Sequence, residues 1–82
     1  MGDVTYYVAL PFLGSEDGPA PGEATECVSS NAAVIRAESL SRKAGHVGAI
    51  AFSRSGDPAT GEFGEAEILR RFGEVPSDLS TL

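Results

Sequence analysis

The chain has 82 residues, of which 41% are hydrophobic, and it carries a net charge of −6. This length accommodates one domain, predicted to span residues 1–82, and leaves no room for a second. The negative charge disfavours nucleic acid and anionic membranes as partners, because the long-range field has the wrong sign.

The first predicted element is a strand over residues 5–13, TYYVALPFL, which is rich in aromatic and β-branched side chains. Neighbouring residues on a strand point to opposite faces, so only one of Tyr6 and Tyr7 can face the core. Pro11 lacks an amide donor, which predicts that this strand lies at an edge of the sheet or ends near that point. The apolar run is too short to span a bilayer.

The residues before this strand lack the basic character of a secretory signal peptide, since the first ten include Asp3 and no lysine or arginine. A soluble cytoplasmic protein is therefore predicted, with residues 1–4 frayed. Residues 14–22, GSEDGPAPG, are predicted to form a mobile loop because they contain three glycines and two prolines. Residues 23–28, EATECV, alternate weakly and predict a second strand that is antiparallel to the first.

Residues 29–44 have the pattern of a helix. Ser29 or Ser30 can cap its first amides, and Gly45 suits the left-handed residue that follows a helix end. The apolar side chains recur at helical spacing and predict a stripe that packs closely on the sheet, because most of them are alanine. This stripe consists of Ala33, Val34, Ala37, Leu40 and Ala44.

Two features mark the other side of this helix. Glu38 precedes Arg42 by four residues, which is the spacing and orientation of a favourable ion pair. Ile35 projects away from the apolar stripe. A single exposed isoleucine needs no explanation, so the alternatives for Ile35 are an ordinary surface position and an interface.

The clearest strand is predicted over residues 47–53, VGAIAFS. One of its faces is rich in alanine and fits the closely packed helix. The other face, with Ile50 and Phe52, needs a further cover, from the carboxy-terminal segment or from a second copy of the chain. A homodimer through a sheet face or edge is therefore predicted, with Ile35, Ile50 and Phe52 as candidate interface residues.

The end of the chain allows two interpretations. Residues 56–61, GDPATG, predict a turn in which Asp57 bonds the backbone. Residues 65–72 fit either a short helix or a strand. The strand is favoured, because so short a helix is marginal alone and a three-stranded sheet would cover little core. Residues 77–82 are predicted to fray.

Few side chains follow a pattern that indicates chemistry. Cys27 and His46 are the natural candidates for a nucleophile and its base, but a buried thiol on a strand and a solvated imidazole are the simpler interpretation. One cysteine and one histidine cannot form a disulfide or a structural zinc site. No metal or cofactor is predicted, and no phosphate-binding or nucleophile-elbow motif occurs.

Four residues are candidates for binding a ligand. Arg54 and Asp57 flank the turn after the clearest strand, and an exposed loop that follows a rigid strand often carries a site. Whichever of Tyr6 and Tyr7 leaves the core face adds aromatic area with a polar tip. The simpler interpretation is that Asp57 forms the turn and that Arg54 is solvated.

Five strings cover most of the chain: YYVALPF, GEATEC, AAVIRAESLSRKAG, GAIAFSRSGDP and ILRRFGEVP. Together they resemble short bacterial proteins of alphaproteobacterial type and of unknown function. The most distinctive piece is AFSRSGDP at residues 51–58. The resemblance implies a bacterial, cytoplasmic, single-domain protein and supplies no catalytic residues.

These patterns predict an α+β fold, with a small antiparallel sheet of three to four strands and one main helix packed on one face. The predicted order is β-β-α-β-β, with a short helix as the alternative last element. The favoured function is a small, non-enzymatic, homo-oligomeric interaction or regulatory protein. The alternative is a small-molecule-binding domain or small enzyme that uses the turn at residues 53–57.

Overall fold

A computed structural model describes residues 3–76, which form one helix and a sheet of six strands. In chain order the elements are β1 Val4–Leu13, β2 Ala20–Pro21, β3 Thr25–Cys27, α1 Ser30–Ser41, β4 His46–Asp57, β5 Glu62–Phe63 and β6 Glu67–Gly73. The fraying predicted for residues 1–2 and 77–82 lies outside the described residues. Val4, which was expected to fray, is instead the first residue of β1.

Two long antiparallel strands, β1 and β4, form the centre of the sheet. They pair along their whole length, from Val4 opposite Gly56 to Leu13 opposite His46. β2 and β3 pair with the outer edge of β1, and β5 and β6 pair with the outer edge of β4, all of them antiparallel. α1 packs on one face of this sheet, chiefly over β1 and β4.

The α+β class is confirmed, but the predicted count of three to four strands is too low. The strands that the sequence did not predict, β2 and β5, contain two residues each. β2 lies within the predicted loop at 14–22, and β5 directly follows the predicted turn at 56–61. Segments this short show no alternation of side chains, so only their pairing with a long strand reveals them.

Of the two alternatives predicted from Pro11, the edge position is wrong, because β1 is paired on both sides, whereas the strand does end nearby, at Leu13. Pro11 is tolerated there because its missing donor faces the gap between β2 and β3. The carbonyl oxygen of Pro11, which points to the same side, accepts a hydrogen bond of 2.8 Å from the amide of Gly22. The ladder between β1 and β4 therefore loses no hydrogen bond at Pro11.

The strand interpretation of residues 65–72 is confirmed by β6, which runs antiparallel to β4. The register between them shifts between Ala51 and Phe52, and such a bulge bends the strand and increases its twist. As a result, Phe72 packs on the helix side of the sheet whereas Ile68 packs on the opposite side. One strand thus contributes to the cores on both faces.

The helix begins where the sequence predicts and ends earlier than residue 44. The hydroxyl of Ser29 accepts a hydrogen bond of 3.1 Å from the amide of Ala32, which makes Ser29 the cap. After Ser41 the helical turn becomes tighter. The amides of the next two residues donate hydrogen bonds of 3.2 Å to carbonyls three residues back, instead of four. Ala44 therefore lies outside the helix and is exposed, although it was predicted to belong to the apolar stripe.

Replacing Ser29 by alanine is expected to lower the free energy of unfolding by about 1 kcal/mol, because the amide of Ala32 loses its acceptor. Ser30→Ala is the matched control. Ser30 is exposed at the first helical position, so its replacement is expected to change stability by less than about 0.5 kcal/mol. Urea denaturation measures both values, and equal stability of the two variants would show that Ser29 is not the cap.

The outer side of the helix agrees with the sequence. Glu38 and Arg42 form the predicted ion pair, with 3.0 Å between Oε1 and Nη2. Both side chains are exposed, so the pair stabilises the helix by only about 0.3 kcal/mol. Ile35 also points outward and is 61% exposed.

The layer between helix and sheet is built mainly of alanine. Its fully buried members come from β1, α1 and β4: Ala9, Ala33, Ala37, Ala49 and Ala51. Methyl side chains leave little space between the two elements, so the helix lies close to the sheet at interior packing density. The close packing that the sequence predicts for this layer is confirmed.

The opposite side of the sheet, called the helix-free face below, carries larger side chains and a second core. The sheet curls, so this core is covered by the chain itself, including the residues just before and just after β6. Its members are Leu10, Phe12, Ile50 and Phe52, with Val8, Val47, Ala66, Ile68 and Val75 packed against them. The carboxy-terminal segment therefore supplies much of the cover that this face requires.

Candidate functional site

An open groove with a volume of about 510 Å³ lies at one end of the helix-free face. Its lining comes from β1, β4, β5 and the segment around β3. The lining is apolar or aromatic except for one acidic and one basic residue. The seven residues that define the groove are Tyr6, Val8, Ala24, Glu26, Phe52, Arg54 and Phe63.

The antiparallel register of the central strands assembles the floor of the groove. Tyr6 lies opposite Arg54 and Val8 lies opposite Phe52, so two residues of each strand face the same side. On the other edge of β1, Glu26 lies opposite Val8. The floor therefore belongs to the most extensively paired part of the sheet, which holds these side chains in fixed relative positions.

An aromatic pair closes one side of the groove. The ring centroids of Tyr6 and Phe63 lie 5.6 Å apart, and the ring planes are tilted by 43°. Such a pair contributes about 1 kcal/mol beyond the area that it buries. Phe63 can lie here because its partner in β4 is Gly56, where a Cβ would come within 2.5 Å of the Phe63 ring.

Only one of the two candidate tyrosines reaches the groove. Tyr6 lines it, whereas Tyr7 packs against the alanine-rich core on the helix side. Strand alternation requires this separation, as the sequence predicts. The tyrosine that leaves the helix side is thus Tyr6.

The structure also separates Arg54 from Asp57. Arg54 is half-buried and lines the groove. Asp57 is the last residue of β4, and its Oδ1 accepts a hydrogen bond of 2.9 Å from the amide of Ala59. This bond stabilises the turn that follows. Of the four candidate ligand-binding residues, the structure brings together Tyr6 and Arg54.

The three candidate interface residues lie in different surroundings. Ile50 is fully buried and Phe52 is 8% exposed, both in the core of the helix-free face. The curl of the sheet covers them, and Phe52 reaches the surface only through the floor of the groove. Ile35 is the exposed member of the three and lies on α1, on the opposite side of the sheet from the groove.

Cys27 and His46 lie far apart. Cys27 pairs with Tyr7 on one edge of β1, and His46 pairs with Leu13 on the other edge. The stretch of strand from position 7 to position 13 spans roughly 20 Å. The Nδ1 of His46 lies 2.7 Å from the carbonyl oxygen of Leu40, at the end of α1. These two residues therefore do not form a nucleophile and its base.

Within residues 3–76, histidine, cysteine, aspartate and glutamate side chains form no group of three or more that could hold a metal ion. The acidic side chains near β5 and β6, Glu62, Glu65 and Glu67, are exposed. In the same part of the chain, no helix is both long enough and apolar enough to cross a membrane.

The sequence candidates do not include four of the groove residues: Val8, Ala24, Glu26 and Phe63. A signal for the first three is present, because alternation places Val8 on the face of Tyr6 and places Ala24 on the face of Glu26. Phe63 has no such local signal. Its position depends on the pairing of β5 with the end of β4.

The chain was compared with protein-family models, with curated proteins and with solved structures, and none of the three comparisons gives a match.

Proposed function

We propose that this chain is a small, non-enzymatic interaction module whose contact surface is the groove. The observation that supports it most is the presence of three aromatic side chains, Tyr6, Phe52 and Phe63, along one open surface. Aromatic residues are enriched at the centres of protein interfaces, where they bury large areas. The side chain of Phe63 is 39% exposed, so it offers apolar area to a partner.

The polar groups of the groove support binding rather than covalent chemistry. They are the carboxylate of Glu26, the guanidinium of Arg54 and the hydroxyl of Tyr6. Covalent catalysis needs a nucleophile within hydrogen-bond reach of a base. Cys27 and His46, the natural candidates for that pair, are held on opposite edges of β1 at well-separated positions.

We also propose that the protein works in the bacterial cytoplasm. Its one thiol, Cys27, is free and half-buried, which suits a reducing compartment. The bacterial setting that the sequence pattern implies is part of the same proposal.

Nile red, an uncharged dye that fluoresces in apolar sites, tests whether the groove is the binding surface, at a chain concentration low enough that no second copy covers the groove. Phe63→Ser is expected to weaken dye binding about fivefold, because it removes one wall of the groove and the aromatic partner of Tyr6. Ile35→Ser is the matched control. Ile35 is more exposed than Phe63, at 61% against 39%, but lies on the helix, so its replacement should leave dye binding unchanged.

Circular dichroism melting curves establish that both variants are folded before the comparison. An equal loss of dye binding in the two variants would mean that the dye reports general apolar exposure. Unchanged binding by Phe63→Ser would show that the groove is not the binding surface. Either result would contradict the proposed function.

A second candidate is a small-molecule-binding domain that uses the same groove. The observation in its favour is the volume of about 510 Å³, which lies within the range of roughly 300–1,000 Å³ for small-molecule sites. A metabolite screen by thermal shift separates the two candidates. A compound that raises the melting temperature and displaces Nile red would favour the second candidate.

A further inference from the structure

We propose that the occupant of the groove is the same groove on a second copy of the chain, so that the protein forms a two-fold symmetric homodimer. The two helix-free faces would meet, and the two helices would lie on the outside. This inference rests on the proposed function, because it takes the groove as the contact surface. It adds the identity of the partner and the arrangement of the contact.

The first argument is that the charges of the groove are complementary to themselves. Glu26 lies on β3 and Arg54 on β4, on either side of β1. In a two-fold contact, residue i meets residue j and residue j meets residue i. Glu26 can therefore meet the partner's Arg54 while Arg54 meets the partner's Glu26. One acid and one base in each groove give two ion pairs across the dimer axis.

Arg54 can take part in such a pair even though it already interacts within its own chain. A guanidinium has five N–H donors in a planar fork, more than a single carboxylate uses. Glu26 is exposed on a short strand at the rim of the groove. Its carboxylate is therefore accessible to a partner.

The second argument is that the apolar surface continues beyond the groove. Val4 lies opposite Gly56, which lies opposite Phe63 on the next strand. Val4 and Phe63 are 37% and 39% exposed. Together with Tyr6 and Val8, they extend the apolar floor to the end of the sheet.

The third argument is that the molecule is large enough for this contact. A stable interface buries about 800 Å² on each partner, which is roughly a seventh of the 5285 Å² surface of this chain. The molecule measures 43 × 24 × 17 Å along its principal axes, so a contact of that size needs the surface around the groove as well as the groove itself. Small domains bury a limited fraction of their surface on folding, and association is one way to add to it.

The net charge of −6 works against association of two copies. This repulsion acts over distance and is screened at physiological salt, where the Debye length is about 8 Å. The two ion pairs act at contact and are screened less. Association is therefore best measured at about 0.15 M ionic strength, where the contact terms dominate.

Two single charge reversals and their mixture test the arrangement by sedimentation equilibrium. Glu26→Arg places two bases in each groove, and Arg54→Glu places two acids there. Each homodimer would then contain two like-charge contacts, and its dissociation constant is expected to rise by about 100-fold or more. An equimolar mixture of the two variants is expected to form heterodimers with near wild-type affinity, because every contact again joins an acid to a base.

Glu16→Arg is the matched control for Glu26→Arg. It changes the net charge by the same amount, but at an exposed loop residue outside the groove. Its dimerisation is expected to equal or slightly exceed that of the wild type. Recovery of association in the mixture also shows that both reversed variants are folded.

A wild-type chain that stays monomeric at high micromolar concentration would overturn the homodimer. If its binding of Nile red still depends on Phe63, the homodimer alone fails, and the groove remains a binding surface for another occupant, as the proposed function requires. If dye binding at Phe63 is also absent, both proposals fail. A dimer that tolerates both single reversals, or a mixture that stays monomeric although each variant is folded, would also overturn the two-fold arrangement.

Discussion

Replacing Gly48 by alanine is expected to lower the free energy of unfolding by about 3 kcal/mol or more. A Cβ at this position would lie 2.1 Å from the carbonyl oxygen of Glu74 and 2.6 Å from that of Phe72. Both atoms belong to the backbone, so no side-chain rotation can relieve the contact. The end of β6 would have to move away from β4.

The loss of stability is large because the chain at the end of β6, which passes close to Gly48, helps to cover the core of the helix-free face. The amide of Glu74 donates a hydrogen bond of 2.8 Å to the carbonyl of Val47, next to Gly48. The next residue, Val75, packs against the core that contains Ile50. Moving the backbone at residues 72–74 would therefore break the bond and uncover that core.

Gly64→Ala is the control for Gly48→Ala. Gly64 also lies outside the helix, but a Cβ there would meet its nearest neighbour, the carbonyl oxygen of Ser55, at an ordinary 3.7 Å. Its replacement is expected to change stability by less than about 1 kcal/mol, with a small gain from the stiffer unfolded chain. Urea denaturation compares the two. Equal stability would contradict the close crossing of β6 over Gly48.

Replacing Ile50 by alanine is expected to lower the free energy of unfolding by about 2–5 kcal/mol. Ile50 is fully buried between β1 and β6 in the core of the helix-free face. Its truncation leaves a cavity that the paired strands on both sides cannot close. A chain of this length has a total stability of about 4–12 kcal/mol, so this one change removes a large part of it.

Ile35→Ala provides a control with the same chemical change at an exposed site. Ile35 is 61% exposed on the helix, and alanine is the better helix former by about 0.4 kcal/mol. The stability of this variant is therefore expected to stay the same or to rise slightly. Denaturation at a dilute protein concentration keeps association out of the comparison. A loss below about 1 kcal/mol for Ile50→Ala would show that Ile50 is not part of a packed core.

The comparison also separates two roles that the sequence leaves open for Ile50. An interface residue would lower dimer affinity with little effect on the stability of the monomer. A core residue lowers monomer stability directly. The complete burial of Ile50 by its own chain predicts the second result.

The candidate site was partly predictable. Alternation along a strand assigns Tyr6 and Tyr7 to opposite faces and makes one of them available for a site. The sequence groups Arg54 with Asp57, because both flank one turn. The structure instead joins Arg54 to Tyr6 across the sheet, since these two residues are opposite each other in the register of β1 and β4. Position in the register, rather than nearness in the chain, determines which side chains meet.

Features that depend on residues a few positions apart follow from the amino-acid pattern alone. These are the cap at Ser29, the alanine stripe of the helix, the pair of Glu38 and Arg42, and the two unlike faces of β4. Local backbone geometry and side-chain period are enough to produce them.

Features that depend on pairing between distant segments come from the assembled fold. Pro11 is tolerated in a central strand because the side on which it lacks an N–H donor faces the gap between β2 and β3. Ile50 is buried because β4 lies between β1 and β6 and because residues before and after β6 pack against the core that contains it. Phe63 faces Tyr6 because β5 pairs with the far end of β4. Each depends on strand register, which local sequence patterns do not specify.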